Sequence, residues 1–233
     1  MRIKGDKDPN TDLTKLISMK KQTRLILALD VTSRAKAVFL VEQLSTYFDA
    51  IKIGYPLILS AGIGIVKEIS AFSPVITDLK IADIPNTNRL ICEAALGAGA
   101  SGVIAHAFPG KDSLEACAKS VAAHGADLFV VTEMSHPGAE QFMAPLAEQM
   151  ARLAVDVGAV GVVAPATRPE RIKWIRSIIG DRIIISPGVG AQGGSALKAL
   201  EAGADYLIVG RSVYGAEDPA AAARKVLSEL HGA

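Results

Sequence analysis

The sequence predicts a single (β/α)8 barrel of the α/β class with a short N-terminal extension. Three observations predict it: an eightfold alternation of short apolar runs with longer helical stretches, Gly-Ala pairs before several of those runs, and an interior built from aliphatic residues. Half of the 233 residues are hydrophobic but only 5% are aromatic, so Ala, Val, Ile and Leu must fill the core, as in buried parallel strands and the helices that cover them. A chain of this length suits one barrel domain.

The expected strands, in order, are Arg24 to Asp30, Ala50 to Ile53, Val75 to Lys80, Gly102 to Ala105, Asp127 to Thr132, Gly161 to Ala164, Ile183 to Pro187 and Tyr206 to Val209. Each is a short β-branched or apolar run followed by a polar or Gly/Pro-containing loop and then by helical spacing. Their starts lie roughly 20 to 35 residues apart, the length of one βα unit. Helix ends fall at Gly99-Ala100, Gly125-Ala126, Gly158-Ala159 and Gly203-Ala204, where glycine can take a left-handed cap. Eight such units without a hairpin favour a closed barrel over an open sheet with edges to protect. The barrel is expected over residues 23–233, and residues 1–22 form the extension: a polar tail over 4–12 and a short helix over 13–20.

Twenty-five basic residues against 24 acidic leave a net charge of +1, too little for a broad field toward nucleic acid or an anionic membrane. The N-terminal 22 residues have no apolar signal core, and no run reaches the length that spans a bilayer, so a soluble, cytoplasmic protein is expected. Cys92 and Cys117 have neither metal-ligand nor redox spacing and read as small buried hydrophobes.

In a barrel of this kind the chemistry lies at the C-terminal ends of the strands. Strand three ends in TDLKIADIPNTN, with Asp78, Lys80 and Asp83 in the pattern DxKxxD. Strand alternation puts Asp78 and Lys80 on the same side, facing the mouth. A solvated charge cluster is the plainer alternative, but Asp30 ends strand one and Lys52 lies in strand two, so acid and base alternate around neighbouring strand ends. In a confined mouth each lysine then has carboxylates that favour its protonated form. After strands seven and eight come SPGVGAQGG, carrying Pro187 and Gln192, and VGRS, carrying Gly210 and Arg211. Gly-rich loops at these two strand ends let backbone N–H groups approach a phosphate, and an arginine adds a charge-assisted contact. The expected ligand is a phosphate ester.

Taken together, LALD, IKIGYPL, DLKIADIPNTN, EMSHPGA, SPGVGAQGG and VGRSVY, in that order from about Arg24 to the C-terminal helix, resemble the orotidine 5'-monophosphate decarboxylase family. The resemblance implies decarboxylation of orotidine 5'-monophosphate to uridine 5'-monophosphate in pyrimidine biosynthesis, with no metal and no organic cofactor. By the same resemblance Lys80 protonates C6 of the pyrimidine as carbon dioxide leaves, and Asp78 sits against the substrate carboxylate. Lys52 and Asp83 complete an alternating catalytic network. Asp83 and Thr87 are expected to cross a homodimer interface toward the partner's ribose, which Asp30 and Lys52 also bind. Ser135 is matched to the pyrimidine amide edge, and Gln192, Gly210 and Arg211 to the phosphate, with Pro187 counted among the substrate-binding residues.

The main rival is the group of magnesium-dependent 3-keto-L-gulonate 6-phosphate decarboxylases and hexulose-phosphate synthases, which share DxKxxD but use it around a metal. They typically follow the second aspartate with Ala-Gly, whereas here Asp83 precedes Ile84-Pro85-Asn86-Thr87. A nucleotide-binding barrel without activity is a third reading, and the presence of both Asp78 and Lys80 weighs against it. His106 and His136 fall near strand ends but nothing pairs them, so hydrogen bonding or packing is expected of each. Trp174, in RIKWIRSII, is expected to anchor a core or interface.

Overall fold

Eight short parallel strands pair in sequence order, and the eighth returns to pair with the first, in a computed structural model that describes Met19 and residues 21–231. The strands are β1 (Leu25–Ala28), β2 (Ala50–Gly54), β3 (Val75–Ile81), β4 (Gly102–His106), β5 (Asp127–Val131), β6 (Gly161–Val163), β7 (Ile183–Pro187) and β8 (Tyr206–Val209). Closure is made by the β1–β8 register, Leu25 against Leu207 and Leu27 against Val209. All eight expected strands are present, with ends shifted by at most two residues.

The helices follow the strands around the outside. They are α1 (Arg34–Leu44), α2 (Tyr55–Ala61), α3 (Ile65–Ser70), α4 (Pro85–Gly97), α5 (Lys111–His124), α6 (Ala139–Phe142), α7 (Ala147–Asp156), α8 (Pro169–Ile179), α9 (Ala196–Glu201), α10 (Arg211–Tyr214) and α11 (Pro219–His231). Ser33 caps α1 through its hydroxyl, which accepts from the Lys36 N–H. The glycines of the four Gly-Ala pairs all take positive φ, as expected of helix ends. Cys92 on α4 and Cys117 on α5 are fully buried free thiols. The tail over 4–12 and the short helix over 13–20 fall outside the described residues, except for Met19, which is buried. From Gln22 to Arg24 the chain is fastened to the barrel's lower end, where the Asp49 carboxylate accepts from three consecutive backbone N–H groups.

The interior is mainly aliphatic, with a few buried aromatic rings, among them Tyr206 and, largest of the fully buried side chains, Phe129. Phe129 fills the lower barrel, and glycines on neighbouring strands make room for it. A Cβ added at Gly161 would stand 3.0 Å from the Phe129 ring and 2.5 Å from the Ile183 carbonyl oxygen. Pairing a large residue with small neighbours is how a barrel interior reaches full packing. Gly161→Ala is therefore expected to cost about 2 kcal/mol and to lower the thermal midpoint by about 4–8 °C. Calorimetry checks this; an unchanged midpoint would show that β6 yields freely.

Candidate active site

The strand registers carry four charged side chains to the upper rim. Lys52 of β2 lies beside Ala28 of β1, and Gly54 of β2 lies beside Asp78 of β3. The Lys52 ammonium is 2.9 Å from Asp78 and 3.9 Å from Asp30, while Lys80 donates to both Asp78 oxygens at 2.9 and 3.0 Å. The chain Asp30–Lys52–Asp78–Lys80 is thus continuous. Lys52 and Asp78 are buried, whereas Lys80 and Asp30 are more open to the mouth.

Burial, the largest influence on Asp78, pushes its carboxyl up, but Lys52 and Lys80 outweigh it and hold the group below the usual carboxylate range. Lys52 is the mirror case: burial pulls its ammonium down, while Asp78 and then Asp30 raise it above its ordinary value. The folded state therefore favours ionised Asp78, a contribution present above the ordinary carboxylate pKa and lost as pH falls through the lower folded value. Lys52 contributes below its ordinary pKa and loses this as pH rises through its raised value. Asp78→Asn leaves Lys52 buried without its main counter-charge and is expected to cost about 3 kcal/mol at neutral pH. That deficit should shrink as pH falls from the ordinary carboxylate range, where Asp78 of the unfolded chain takes up a proton, toward the lower pH at which folded Asp78 loses its charge. Melting curves across this range check it, and a deficit independent of pH would mean that the charge of Asp78 does not matter.

The expected side-by-side placement of Asp78 and Lys80 is found, but not on a regular strand. Thr77 pairs with Val103 and Ile81 with Ala105, so β3 carries two residues more than β4 across this interval. An even surplus preserves the alternation, and both side chains still reach the mouth. Lys80 itself has φ 42°, in the left-handed region that L side chains rarely occupy.

Ser135, Pro187, Gln192, Gly210 and Arg211 line the same cleft as these four charges, above a floor of Ala28, Ile104, Val131, Val163 and Ile208. The mouth is polar on its walls and apolar beneath. The loop after β7 folds back on itself through N–H donation from Gly190 to Gly194, from Gly193 to Gly190 and from Gly194 to Gly188. Gln192 stands in this loop, and Arg211, at the start of α10 after the neighbouring strand β8, lines the cleft with it. Asp83 and Thr87 are not among the cleft-lining residues. Asp83 is exposed on the rim, where one carboxylate oxygen accepts from the Ile84 N–H, and its backbone is held by the buried Asn88 and by Ser113.

One arrangement escaped sequence reasoning. Glu133, wholly buried after β5, accepts from Arg168 at 2.9 Å and from Arg171 at 2.7 Å, and Arg168 also donates to the Met134 carbonyl at 2.6 Å. Thr167 donates to the Ser135 carbonyl. These bonds fix the segment that presents Ser135. The Glu of EMSHPGA was the signal available, but its partners lie 35 and 38 residues away. Arg171 also stacks 4.3 Å over Trp174, which is partly buried against the core. His106 packs its ring against Phe108 while His136 is exposed, so neither forms a metal pair. Among the described residues no group of three or more His, Cys, Asp or Glu is placed to hold a metal ion, and no helix is long and apolar enough to cross a membrane.

A closed parallel barrel with a charged cleft at the carboxyl ends of its strands, beside a glycine-rich loop after β7, defines a barrel enzyme of the phosphate-binding kind. The model of the orotidine 5'-phosphate decarboxylase / HUMPS family matches residues 23–226, and the chain belongs to that family. Orotidine 5'-phosphate decarboxylase of Methanococcoides burtonii is 58% identical over 91% of this chain and 100% of its own length. That of Thermococcus kodakarensis is 49% identical over 90% of this chain and 98% of its own. The crystal structure of orotidine 5'-monophosphate decarboxylase from Methanocaldococcus jannaschii complexed with the inhibitor BMP superposes with a TM-score of 0.85 at 44% identity, covering 88% of this chain and 97% of that one.

Proposed function

We propose that this chain, a carboxy-lyase of its family, converts orotidine 5'-monophosphate to uridine 5'-monophosphate in pyrimidine biosynthesis, without metal or organic cofactor and with Lys80 as the proton donor to C6. The observation that carries the reading is the continuous Asp30–Lys52–Asp78–Lys80 chain, opposite the phosphate-binding loop in one cleft. Loss of carbon dioxide leaves a carbanion at C6 with no adjacent carbonyl to delocalise it, so the group facing C6 must both stabilise negative charge and deliver a proton. A lysine ammonium anchored by Asp78 does both, and its attraction grows as charge develops. Asp78, held ionised, crowds the substrate carboxylate until that group departs as neutral carbon dioxide. Because each carboxylate here is engaged by a lysine, the donor set suits ammonium chemistry better than a divalent cation.

In this reading Asp30 and Lys52 take the ribose hydroxyls, Ser135 the pyrimidine amide edge beside Pro187, and Gln192, Gly210 and Arg211 the phosphate. Phosphate binding far from C6 supplies energy to close the Gln192 loop. Asp83 and Thr87 act in the partner's cleft of a homodimer. Their position outside the cleft of their own chain supports this, as do the neighbouring exposed side chains of Ile84 and Leu90, apolar surface suited to self-association.

Loss of orotidine 5'-monophosphate absorbance on adding EDTA-treated protein tests the reading. Rapid conversion is expected. Activity only with magnesium and a keto-sugar phosphate would transfer the chain to the metal-dependent branch.

A further inference from the structure

Resting on the decarboxylase reading, we propose that Tyr55, which does not line the cleft, is a positioning residue whose hydroxyl fixes the backbone that aims Lys80. Gly54 is the last residue of β2 and lies beside Asp78, so Tyr55, the next residue, stands alongside the point where β3 leaves its regular path. Leu79 lies between the final β2 pair at Asp78 and the resumed β4 pair at Ile81, outside both registers. Its carbonyl is therefore one that the regular ladder does not account for. The Tyr55 hydroxyl donates to that carbonyl.

The Leu79 carbonyl belongs to the peptide plane shared with Lys80, and the φ of Lys80 is rotation about the bond that follows this plane. Tethering the carbonyl oxygen therefore restrains the rotation that gives Lys80 its φ of 42°. A lysine in this region is held there by its surroundings, because an unrestrained L residue relaxes to negative φ. Relaxation would swing the side chain away from its 2.9 Å contact with Asp78. The phenol is suited to a permanent donor role: burial, and then the charge of Asp78, push its pKa above the ordinary value, so it stays protonated across the working range. Tyr55 is about half exposed, so core packing does not account for its place at the rim.

Tyr55→Phe keeps the ring and deletes only the donor. Steady-state kinetics with orotidine 5'-monophosphate should show kcat lowered by about tenfold or more, with KM, the Kd for uridine 5'-monophosphate and the thermal midpoint nearly unchanged. A kcat within twofold of the parent overturns the proposal. So does a joint fall in kcat, nucleotide affinity and midpoint, which marks a merely structural residue. A crystal structure of the variant reads the same device without reference to any reaction: Lys80 should move to negative φ and lose its contact with Asp78, and retention of positive φ with that contact intact overturns the inference. If the parent protein fails to convert the nucleotide, the functional reading fails, while the variant's Lys80 backbone still decides whether Tyr55 holds it.

Discussion

Lys80→Ala is expected to lower turnover of orotidine 5'-monophosphate by at least about 10^3-fold while leaving uridine 5'-monophosphate bound within about tenfold of the parent affinity. The asymmetry follows from where Lys80 stands. Its ammonium is held by both oxygens of Asp78 at the rim of β3, while Gln192 and Arg211 lie on the other side of the cleft, at the loops after β7 and β8. On the proposed reading, removing the ammonium takes away the charge whose attraction grows as C6 becomes negative, and the proton delivered there, but none of the phosphate contacts. It also leaves Asp78 with only Lys52 to balance it, so on the same reading a substrate carboxylate beside Asp78 becomes harder to accommodate. Absorbance-monitored turnover, paired with calorimetric binding of the product, checks the split. Near-normal kcat in this variant would remove the proposed proton donor and reopen the assignment of every group around it.

Equal mixing of Lys80→Ala and Asp83→Ala chains, each inactive alone, is expected to restore activity to about a quarter of the parent level after subunit exchange, since half of the dimers are hybrids and one of their two sites is whole. The expectation rests on Asp83 lying on the exposed rim with its backbone braced from below by Asn88 and Ser113. A side chain so placed is presented outward by a rigid support, as a contribution to another chain requires. Native mass spectrometry establishes the exchange and turnover reads the recovery. Exchange without recovered activity would place Asp83 in the service of its own cleft and require the rim to fold inward.

The strands were legible because short β-branched runs between polar loops leave little freedom in where a parallel strand can sit, and all eight appear where the pattern put them. The charged rim was legible for a related reason: residues two apart on a strand share a side, so Asp78 and Lys80 could be placed together, and Lys52 beside them, before any contact was seen. The means by which β3 achieves this was hidden. Nothing in TDLKIAD marks Lys80 for a positive φ, a conformation that sequence reasoning reserves for glycine, and the two-residue surplus depends on the register of a neighbouring strand. The bracing of Ser135 was hidden likewise, because Glu133 meets Arg168 and Arg171 only once the barrel has closed. A low aromatic content pointed to an aliphatic interior and gave no hint that Phe129 occupies its centre, a fact set by the absence of side chains on Gly102 and Gly161.

That same phenylalanine bears on how the proposed reaction would exchange its molecules. Its ring packs low in the barrel, where Gly102 and Gly161 leave room for it, and on the proposed reading the nucleotide enters and both products leave at the upper rim, where the cleft lies. On that reading, carbon dioxide released above the apolar floor of Ile104, Val131 and Val163 shares this one rim with the departing nucleotide.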